Sequence, residues 1–157
     1  MAEELELKAV VPDAAKLRER LRAAGAARTF AGRMHDRRYD RNGELAPRDE
    51  VLRVRTFQVP GEPDHWRLGW KGPTGRSADG YKQREELECE VVGDASPATI
   101  LEALGYRPVH AVNREVEIFA LGDATVRIEV YPRMDVLVEV EGAPAAIERA
   151  IVATGIP

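Results

Sequence analysis

Apolar and charged residues alternate along the first segment of the chain. Within residues 3–11, Glu6 and Lys8 share one face and Leu5 and Leu7 the other, because successive strand side chains point to opposite sides. The same alternation recurs in four later segments. The charged positions are Glu4, Glu6 and Lys8; Arg53 and Arg55; Arg84, Glu86, Glu88 and Glu90; Arg127 and Glu129; and Glu139 and Glu141. Several such strands favour a sheet that curves around a charged interior.

Hydrophobic periodicity predicts an α+β protein dominated by antiparallel sheet. Strands are predicted at residues 3–11, 28–40, 50–58, 65–71, 81–92, 108–120, 123–131 and 135–141. Helices are predicted at residues 14–24, 97–104 and 143–153. Asp13 is expected to cap the first helix and Gly25 to end it, and residues 41–44 give a hairpin-type turn signal. Eight strands that close on themselves leave room for one small ligand.

Composition indicates an ordinary globular protein. The 157 residues fit a single domain over residues 1–157, and 44% hydrophobic residues argue against disorder. The net charge of −4 does not indicate a general nucleic-acid-binding surface. We expect a cytoplasmic protein without membrane contact, because no apolar run approaches the ~20 residues that span a bilayer. The single cysteine, Cys89, is expected to be a buried structural thiol.

Four glutamates from the two ends of the chain could share the charged interior. They are Glu4, Glu6, Glu139 and Glu141. Converging carboxylates repel one another unless a cation or basic partners are present. Hard oxygen ligands suit Mg²⁺ or Mn²⁺, whereas the three histidines lack the ligand spacing of a zinc site. The alternative is that these glutamates line a solvated outer face.

Seven basic residues could bind phosphate. They are Lys8, Arg53, Arg55, Lys71, Arg84, Arg114 and Arg127. Arginine binds phosphate oxygens with a two-pronged fork and lysine acts as a point charge. The alternative is salt bridging on a wet surface, where each pair contributes ~0–1 kcal/mol. The sequence contains no nucleophile elbow, phosphate loop or dinucleotide fingerprint, so catalysis would depend on a metal and on charge.

Together these motifs resemble the CYTH family, the triphosphate tunnel metalloenzymes. Glu4-x-Glu6-x-Lys8 resembles the family's opening E-x-E-x-K signature, and Glu139-x-Glu141 its closing acidic pair. Between them, in the family's order, lie Tyr39-Asp40, Leu52-Arg53-Val54-Arg55, Lys71-Gly72-Pro73, Arg84-Glu85-Glu86-Leu87-Glu88 and Arg114. Three positions depart from the family pattern: Val112 stands in place of lysine, Glu129 in place of aspartate, and Asp135 in place of the glycine before the last strand.

The resemblance implies an eight-stranded closed antiparallel β-barrel, a triphosphate tunnel with flanking helices. It implies metal ligands at Glu4, Glu6, Glu129, Glu139 and Glu141. It also implies that the seven basic residues hold the phosphates of a small-molecule triphosphate. We assign catalytic roles to Lys8, Arg55 and Glu129. A homodimer is a possibility that rests on the resemblance alone.

Three functional interpretations follow. The leading one is a triphosphatase that uses Mg²⁺ or Mn²⁺ and acts on inorganic triphosphate, thiamine triphosphate or a nucleoside triphosphate. The second is a class IV-type adenylyl cyclase, which converts ATP to cyclic AMP in the same tunnel. The third is a binding module that grips polyphosphate without turnover, which the departures at Val112 and Glu129 favour.

Overall fold

The computed structural model describes residues 2–157, with side chains from Leu5 onward. The strands are β1 (Ala2–Val10), β2 (Ala27–Asp40), β3 (Val51–Gln58), β4 (His65–Lys71), β5 (Gly75–Arg76), β6 (Lys82–Val91), β7 (Arg107–Leu121), β8 (Ala124–Val130) and β9 (Leu137–Glu141). The helices are α1 (Ala14–Ala23), α2 (Ala98–Ala103) and α3 (Pro144–Thr154). Within the described residues, no helix has the length and apolarity that crossing a membrane requires.

The strands form a mainly antiparallel sheet. Hydrogen-bonded neighbours follow the order β1-β9-β8-β7-β2-β3-β4-β6-β5, with an additional pairing between β1 and β6. Eight strands are thus linked in a ring of hydrogen-bonded neighbours, and β5 lies outside that ring. The predicted α+β class and the eight-stranded antiparallel sheet are confirmed. The sequence did not indicate β5, because a strand of two residues has no periodicity to detect.

The chain reversal after β2 is longer than the hairpin turn predicted at residues 41–44. The carboxylate of Asp40 accepts backbone N–H bonds from Arg41, Leu45 and Ala46 at 2.7, 3.0 and 3.1 Å. A 3₁₀ turn at Ala46–Arg48 then leads into β3. Asp40 thus organises a wide corner, because its side chain satisfies backbone donors that a tight hairpin would pair across the strands.

The described residues group into two compact units. Apart from the start of the chain, unit 1 contains Arg33–Gly75 and Arg84–Asn113. Unit 2 contains Glu4–Gly32, Arg76–Gln83 and Arg114–Pro157. Each unit has a hydrophobic cluster of its own. The single domain predicted over residues 1–157 stays a prediction.

In unit 2, α1 and α3 cover the apolar face of the sheet. Leu21 of α1 and Ile147 of α3 are fully buried against Val126 of β8 and Val140 of β9. Because strand side chains alternate, the residues between these aliphatic positions lie on the opposite face. The helices therefore determine which face of the sheet carries the charged residues.

In unit 1, the short helix α2 packs through Leu101 against Tyr39 and Val54. This cover does not reach the apolar face of β6, where Leu87 is 45% exposed. Cys89 lies on that same face and is also exposed. The prediction that Cys89 is a buried thiol is therefore wrong, because the described cluster around α2 includes neither Leu87 nor Cys89 and leaves this face of β6 exposed.

Replacing Ile147 by alanine is expected to lower the free energy of unfolding by about 2–5 kcal/mol, because truncation leaves a cavity in the core of unit 2. The matched control is Val152→Ala on the same helix, where the side chain is 84% exposed. That change should shift the free energy of unfolding by less than ~0.5 kcal/mol. Urea denaturation followed by circular dichroism measures both, and equal losses would contradict the packing of α3.

Candidate functional site

Three neighbouring strands of unit 2 present a charged face. In the β1–β9 pair, Glu6 lies opposite Glu141 and Lys8 lies opposite Glu139. In the β8–β9 pair, Arg127 lies opposite Glu139. Glu139 therefore has a base on each side. Glu6 and Glu141 instead face each other as like charges, which destabilises a strand pair unless positive charge is added.

Three glutamates on this face are shielded from solvent, whereas the side chains of Lys8 and Glu141 are 49% and 29% exposed. The exposed fractions are 6% for Glu6, 2% for Glu139 and 1% for Glu129. Burying ionised carboxylates is costly unless they are paired, hydrogen-bonded or bound to a metal. A solvated outer face, the alternative interpretation of the glutamate pairs, is therefore wrong for Glu6 and Glu139.

Two cations hold Glu139. Lys8 Nζ lies 3.3 Å from Oε2 of Glu139, and Arg127 Nη2 lies 2.9 Å from Oε1. Burial acts to raise the pKa of Glu139, but the charge of Arg127, hydrogen bonds with Glu6 and Glu141, and the charge of Lys8 hold it well below its usual range. Glu139 is therefore ionised at neutral pH. Burial acts to lower the pKa of Arg127, but Glu139 and the neighbouring glutamates raise it.

Glu129 is held by a different set of donors. Its Oε2 accepts a hydrogen bond from Arg114 Nε at 2.6 Å and one from the Tyr131 hydroxyl at 3.0 Å. Arg127 Nε lies 3.7 Å from the same oxygen. The second oxygen, Oε1, is buried and has no hydrogen-bond partner among the described residues. Glu129 is therefore paired with Arg114 through one oxygen, and its role as a ligand stays a prediction.

Glu6, Glu139 and Glu141 form a carboxylate group that fits a divalent metal ion. One oxygen from each lies within 4.8 Å of the others. Burial, then the hydrogen bond and charge of Glu139, raise the pKa of Glu6 to about 7, although Lys82 acts in the opposite direction. A full negative charge on Glu6 is thus unfavourable without a ligand. A hard cation such as Mg²⁺ or Mn²⁺ would relieve that cost.

A second set of charged residues lies in unit 1. Arg55 donates from Nε and Nη2 to the two oxygens of Asp36 at 2.8 and 2.9 Å. Arg53 Nη2 lies 3.5 Å, and Lys71 Nζ 3.7 Å, from the same oxygen of Glu86. Arg53 and Arg55 are 8% and 6% exposed, so these contacts are not salt bridges on a wet surface.

Arg84 contacts backbone carbonyls of unit 1. Its Nε donates to the carbonyl oxygen of Gly72 at 2.7 Å, and its Nη2 to that of Asp49 at 3.0 Å. These bonds hold the corner after β4, where a Cβ on Gly72 would come within 3.1 Å of the Trp70 ring. The geometry supports a role for Arg84 in holding this corner. Its contact with phosphate stays a prediction.

Solved structures match the fold over nearly the whole chain, although no family model and no curated protein matches the sequence. A protein from Vibrio parahaemolyticus, provisionally named an adenylate cyclase, matches with a TM-score of 0.81 at 18% identity, over 98% of this chain and 88% of that chain. A Hippeastrum protein matches with a TM-score of 0.66 at 15% identity, over 98% of this chain and 89% of that chain. It is provisionally named an adenylyl cyclase and is described as having a dominant triphosphatase activity.

The chain has the CYTH fold. The resemblance drawn from the sequence motifs is confirmed at the level of the fold. A structure of the Schizosaccharomyces pombe Mediator head module also matches, with a TM-score of 0.68 at 15% identity, over 95% of this chain and 89% of that chain. Proteins with quite different names thus resemble this chain, so the CYTH fold by itself assigns no activity.

The CYTH fold brings some of the predicted site residues together. Of the predicted metal ligands, Glu6, Glu139 and Glu141 meet, Glu129 lies with Arg114, and the Glu4 side chain lies outside the described part of the structure. Of the predicted phosphate contacts, Lys8, Arg114 and Arg127 belong to unit 2, and Arg53, Arg55, Lys71 and Arg84 to unit 1. The roles of all these residues as ligands, phosphate contacts or catalysts stay predictions.

The sequence motifs miss two residues of these clusters. Lys82 Nζ lies 2.8 Å from Glu6 Oε1. Its spacing of two from Arg84 puts both on one strand face, so a signal was present. Asp36, the partner of Arg55, has no comparable signal, because their contact becomes visible only when β2 and β3 are paired.

The raised pKa of Glu6 predicts a pH-dependent stability in metal-free protein. The pKa of Glu6 is about 7 in the folded protein and 4.5 in its usual state. The folded state therefore binds the proton more tightly, which stabilises the fold at low pH, and this contribution is lost as pH rises. The free energy of unfolding should therefore fall between about pH 4.5 and about pH 7, and Glu6→Gln should flatten this slope. Chemical denaturation across this range measures the effect. Glu19→Gln, an exposed acid of α1, is the control, and equal slopes in wild type and Glu6→Gln would contradict the assignment.

Proposed function

We propose that this protein hydrolyses a small triphosphate in a reaction that depends on Mg²⁺ or Mn²⁺. The observation that carries the proposal is the carboxylate group of buried Glu6, buried Glu139 and partly exposed Glu141, which has cations beside it on the same strand face. The substrates to be compared are inorganic triphosphate, thiamine triphosphate and nucleoside triphosphates. The triphosphatase activity of the Hippeastrum protein, which shares the CYTH fold, supports hydrolysis as the first choice.

Charge balance in unit 2 supports joint binding of metal and triphosphate. Four acids and four bases pair there: Glu6, Glu129, Glu139 and Glu141 with Lys8, Lys82, Arg114 and Arg127. The cluster is therefore close to neutral before any ligand binds. A divalent cation leaves it positive, and the positive charge attracts a polyanion. Each ligand should therefore raise the affinity for the other.

The chain's own residues then have distinct roles. Glu6, Glu139 and Glu141 would hold the metal ion, which when bound polarises phosphoryl oxygens and favours attack by water. Lys8 and Arg127, which share Glu139, would bind phosphate oxygens and stabilise the negative charge of the transition state.

Hydrolysis requires one bond exchange at phosphorus. The oxygen of water bonds to the terminal phosphorus and gives up a proton to solvent, the bond to the bridging oxygen breaks, and the shortened phosphate chain leaves with the bonding electrons. Arg114, which Glu129 orients through its 2.6 Å hydrogen bond, would stabilise the charge on the phosphate oxygens. The bases of unit 1, with Arg55 as the leading candidate, are proposed as further phosphate contacts.

An adenylyl cyclase is the second candidate, and the provisional name of the Vibrio parahaemolyticus protein favours it. In that reaction the ribose 3′-hydroxyl of ATP attacks the α-phosphorus and pyrophosphate leaves. The product separates the two functions, because a cyclase yields cyclic AMP whereas a triphosphatase yields ADP and phosphate.

The purified protein should release phosphate from at least one of the three substrate types, and only with Mg²⁺ or Mn²⁺ present. Glu6→Ala and Arg55→Ala should each lower turnover at least about tenfold, because the first removes a metal ligand and the second a phosphate contact. Chromatography of the products measures both. Glu19→Ala, at an exposed acid of α1, is the matched control and should keep wild-type turnover.

Circular dichroism must show that each variant is folded. Arg55→Lys serves as a second test of that position, because it retains the positive charge beside Asp36 but loses the two-pronged fork. Wild-type turnover in folded Glu6→Ala and Arg55→Ala would contradict the proposal. Metal-dependent binding of triphosphate without any product would instead support the binding-module interpretation.

A further inference from the structure

Lys82 is a cation of the acidic cluster to which the sequence motifs give no role. It is the first residue of β6, and its Nζ lies 2.8 Å from Oε1 of Glu6. Glu6 is one of the three members of the carboxylate group. Lys82 therefore contacts a carboxylate that is also a predicted metal ligand.

Strand register explains why a cation is needed at this point. Glu139 is flanked by Lys8 on β1 and by Arg127 on β8. In the next row, Glu6 faces the acidic Glu141 on β9, and β8 places the uncharged Thr125 opposite Glu141. The directly opposite positions of this row are thus Glu6, Glu141 and Thr125, and Arg127 Nη2 reaches Glu141 from the neighbouring row at 3.7 Å. Lys82 adds positive charge to the row of Glu6 and Glu141 from β6.

The backbone at Lys82 is anchored while its side chain keeps contact with solvent. The preceding residue, Tyr81, packs against the core of unit 2 and donates a hydrogen bond from its hydroxyl to Glu148 of α3. The Tyr81 carbonyl accepts from Ser77 N at 2.9 Å. The Lys82 side chain is 38% exposed. A lysine held at its base on a flexible four-carbon stem can change partners without moving the strand.

We propose that Lys82 is an exchangeable cation of this site. It neutralises Glu6 until a divalent metal ion binds that carboxylate, and the released ammonium group then contacts a phosphate oxygen of the substrate. The metal ion and Lys82 compete for Glu6, whereas Lys82 and the substrate phosphate attract each other. This inference rests on the proposed function for its second step, and only on metal binding for its first.

Two other roles for Lys82 predict a different effect of its removal on metal affinity. If Lys82 only orients Glu6 for the metal, removing its charge weakens metal binding. If the ion pair only supports the fold, removing it changes stability and leaves the metal affinity unchanged. The sign of the change in metal affinity therefore separates the three roles.

The experiment compares Lys82→Met and Lys82→Arg with wild type. Mn²⁺ affinity without substrate is measured by calorimetry or by electron paramagnetic resonance of the free ion. Loss of the competing charge should lower the Mn²⁺ dissociation constant of Lys82→Met at least about fivefold. With saturating Mg²⁺, its dissociation constant for inorganic triphosphate should rise at least about tenfold. Lys82→Arg should stay near wild type, and Lys16→Met, at an exposed lysine of α1, is the control.

An unchanged or weaker Mn²⁺ affinity in folded Lys82→Met would overturn the exchange. An unchanged affinity of folded Lys82→Met for triphosphate would overturn the second step, in which Lys82 contacts a phosphate oxygen. If neither wild type nor any of the variants binds Mn²⁺, both this inference and the proposed function are overturned. If wild type turns over no triphosphate while Lys82→Met still binds Mn²⁺ more tightly, only the proposed function fails.

Discussion

Acidic side chains that face each other in a buried strand pair are the constraint on which this structure depends. Glu6 and Glu141 are opposite residues of β1 and β9, and one oxygen of Glu139 lies within 4.8 Å of both. Glu6 and Glu139 have almost no access to water, so solvent cannot screen this repulsion. Positive charge must come from the protein or from a ligand. Lys8, Arg127 and Lys82 supply it from the protein, which makes the cluster responsive to any cation that can replace them.

The hydrophobic core of unit 2 keeps these charges in place. Val126, Val138 and Val140 alternate along β8 and β9 with the charged positions and pack against α1 and α3. A register shift of one residue would move the charged side chains into the core and the valines into the charged face. Packing therefore fixes the register, and the register fixes which acids meet. Apolar packing on the opposite face of the sheet offsets the electrostatic cost of burying the charged side chains.

Much of this could be predicted from the sequence, because the decisive signals are local. Alternation along β1, β8 and β9 shows which residues of each strand share a face, and together with the family resemblance it makes Glu6, Glu139 and Arg127 candidates for one site. Pairing partners are not local. Asp36 emerges as the partner of Arg55 only through the β2–β3 register, and the wide corner at Asp40 depends on one side chain.

Other features depend on which surfaces happen to be covered. Cys89 occupies the apolar face of its strand, as its alternation indicates, but it is exposed because the described cluster around α2 does not cover that part of β6. Alternation assigns a face and cannot show what lies over it. The same reason explains why Lys82, with a clear period-two signal to Arg84, could not be linked to Glu6 from sequence alone.

The central claim is that Glu6, Glu139 and Glu141 hold a divalent cation beside the bound phosphates. Its most direct test is anomalous diffraction from crystals grown with Mn²⁺ and a non-hydrolysable imidotriphosphate. The account predicts a manganese peak coordinated by oxygens of these three carboxylates, with Lys82 Nζ moved from Glu6 towards a phosphate oxygen. A manganese peak elsewhere in the protein, with the carboxylate group still occupied only by Lys8, Lys82 and Arg127, would contradict it.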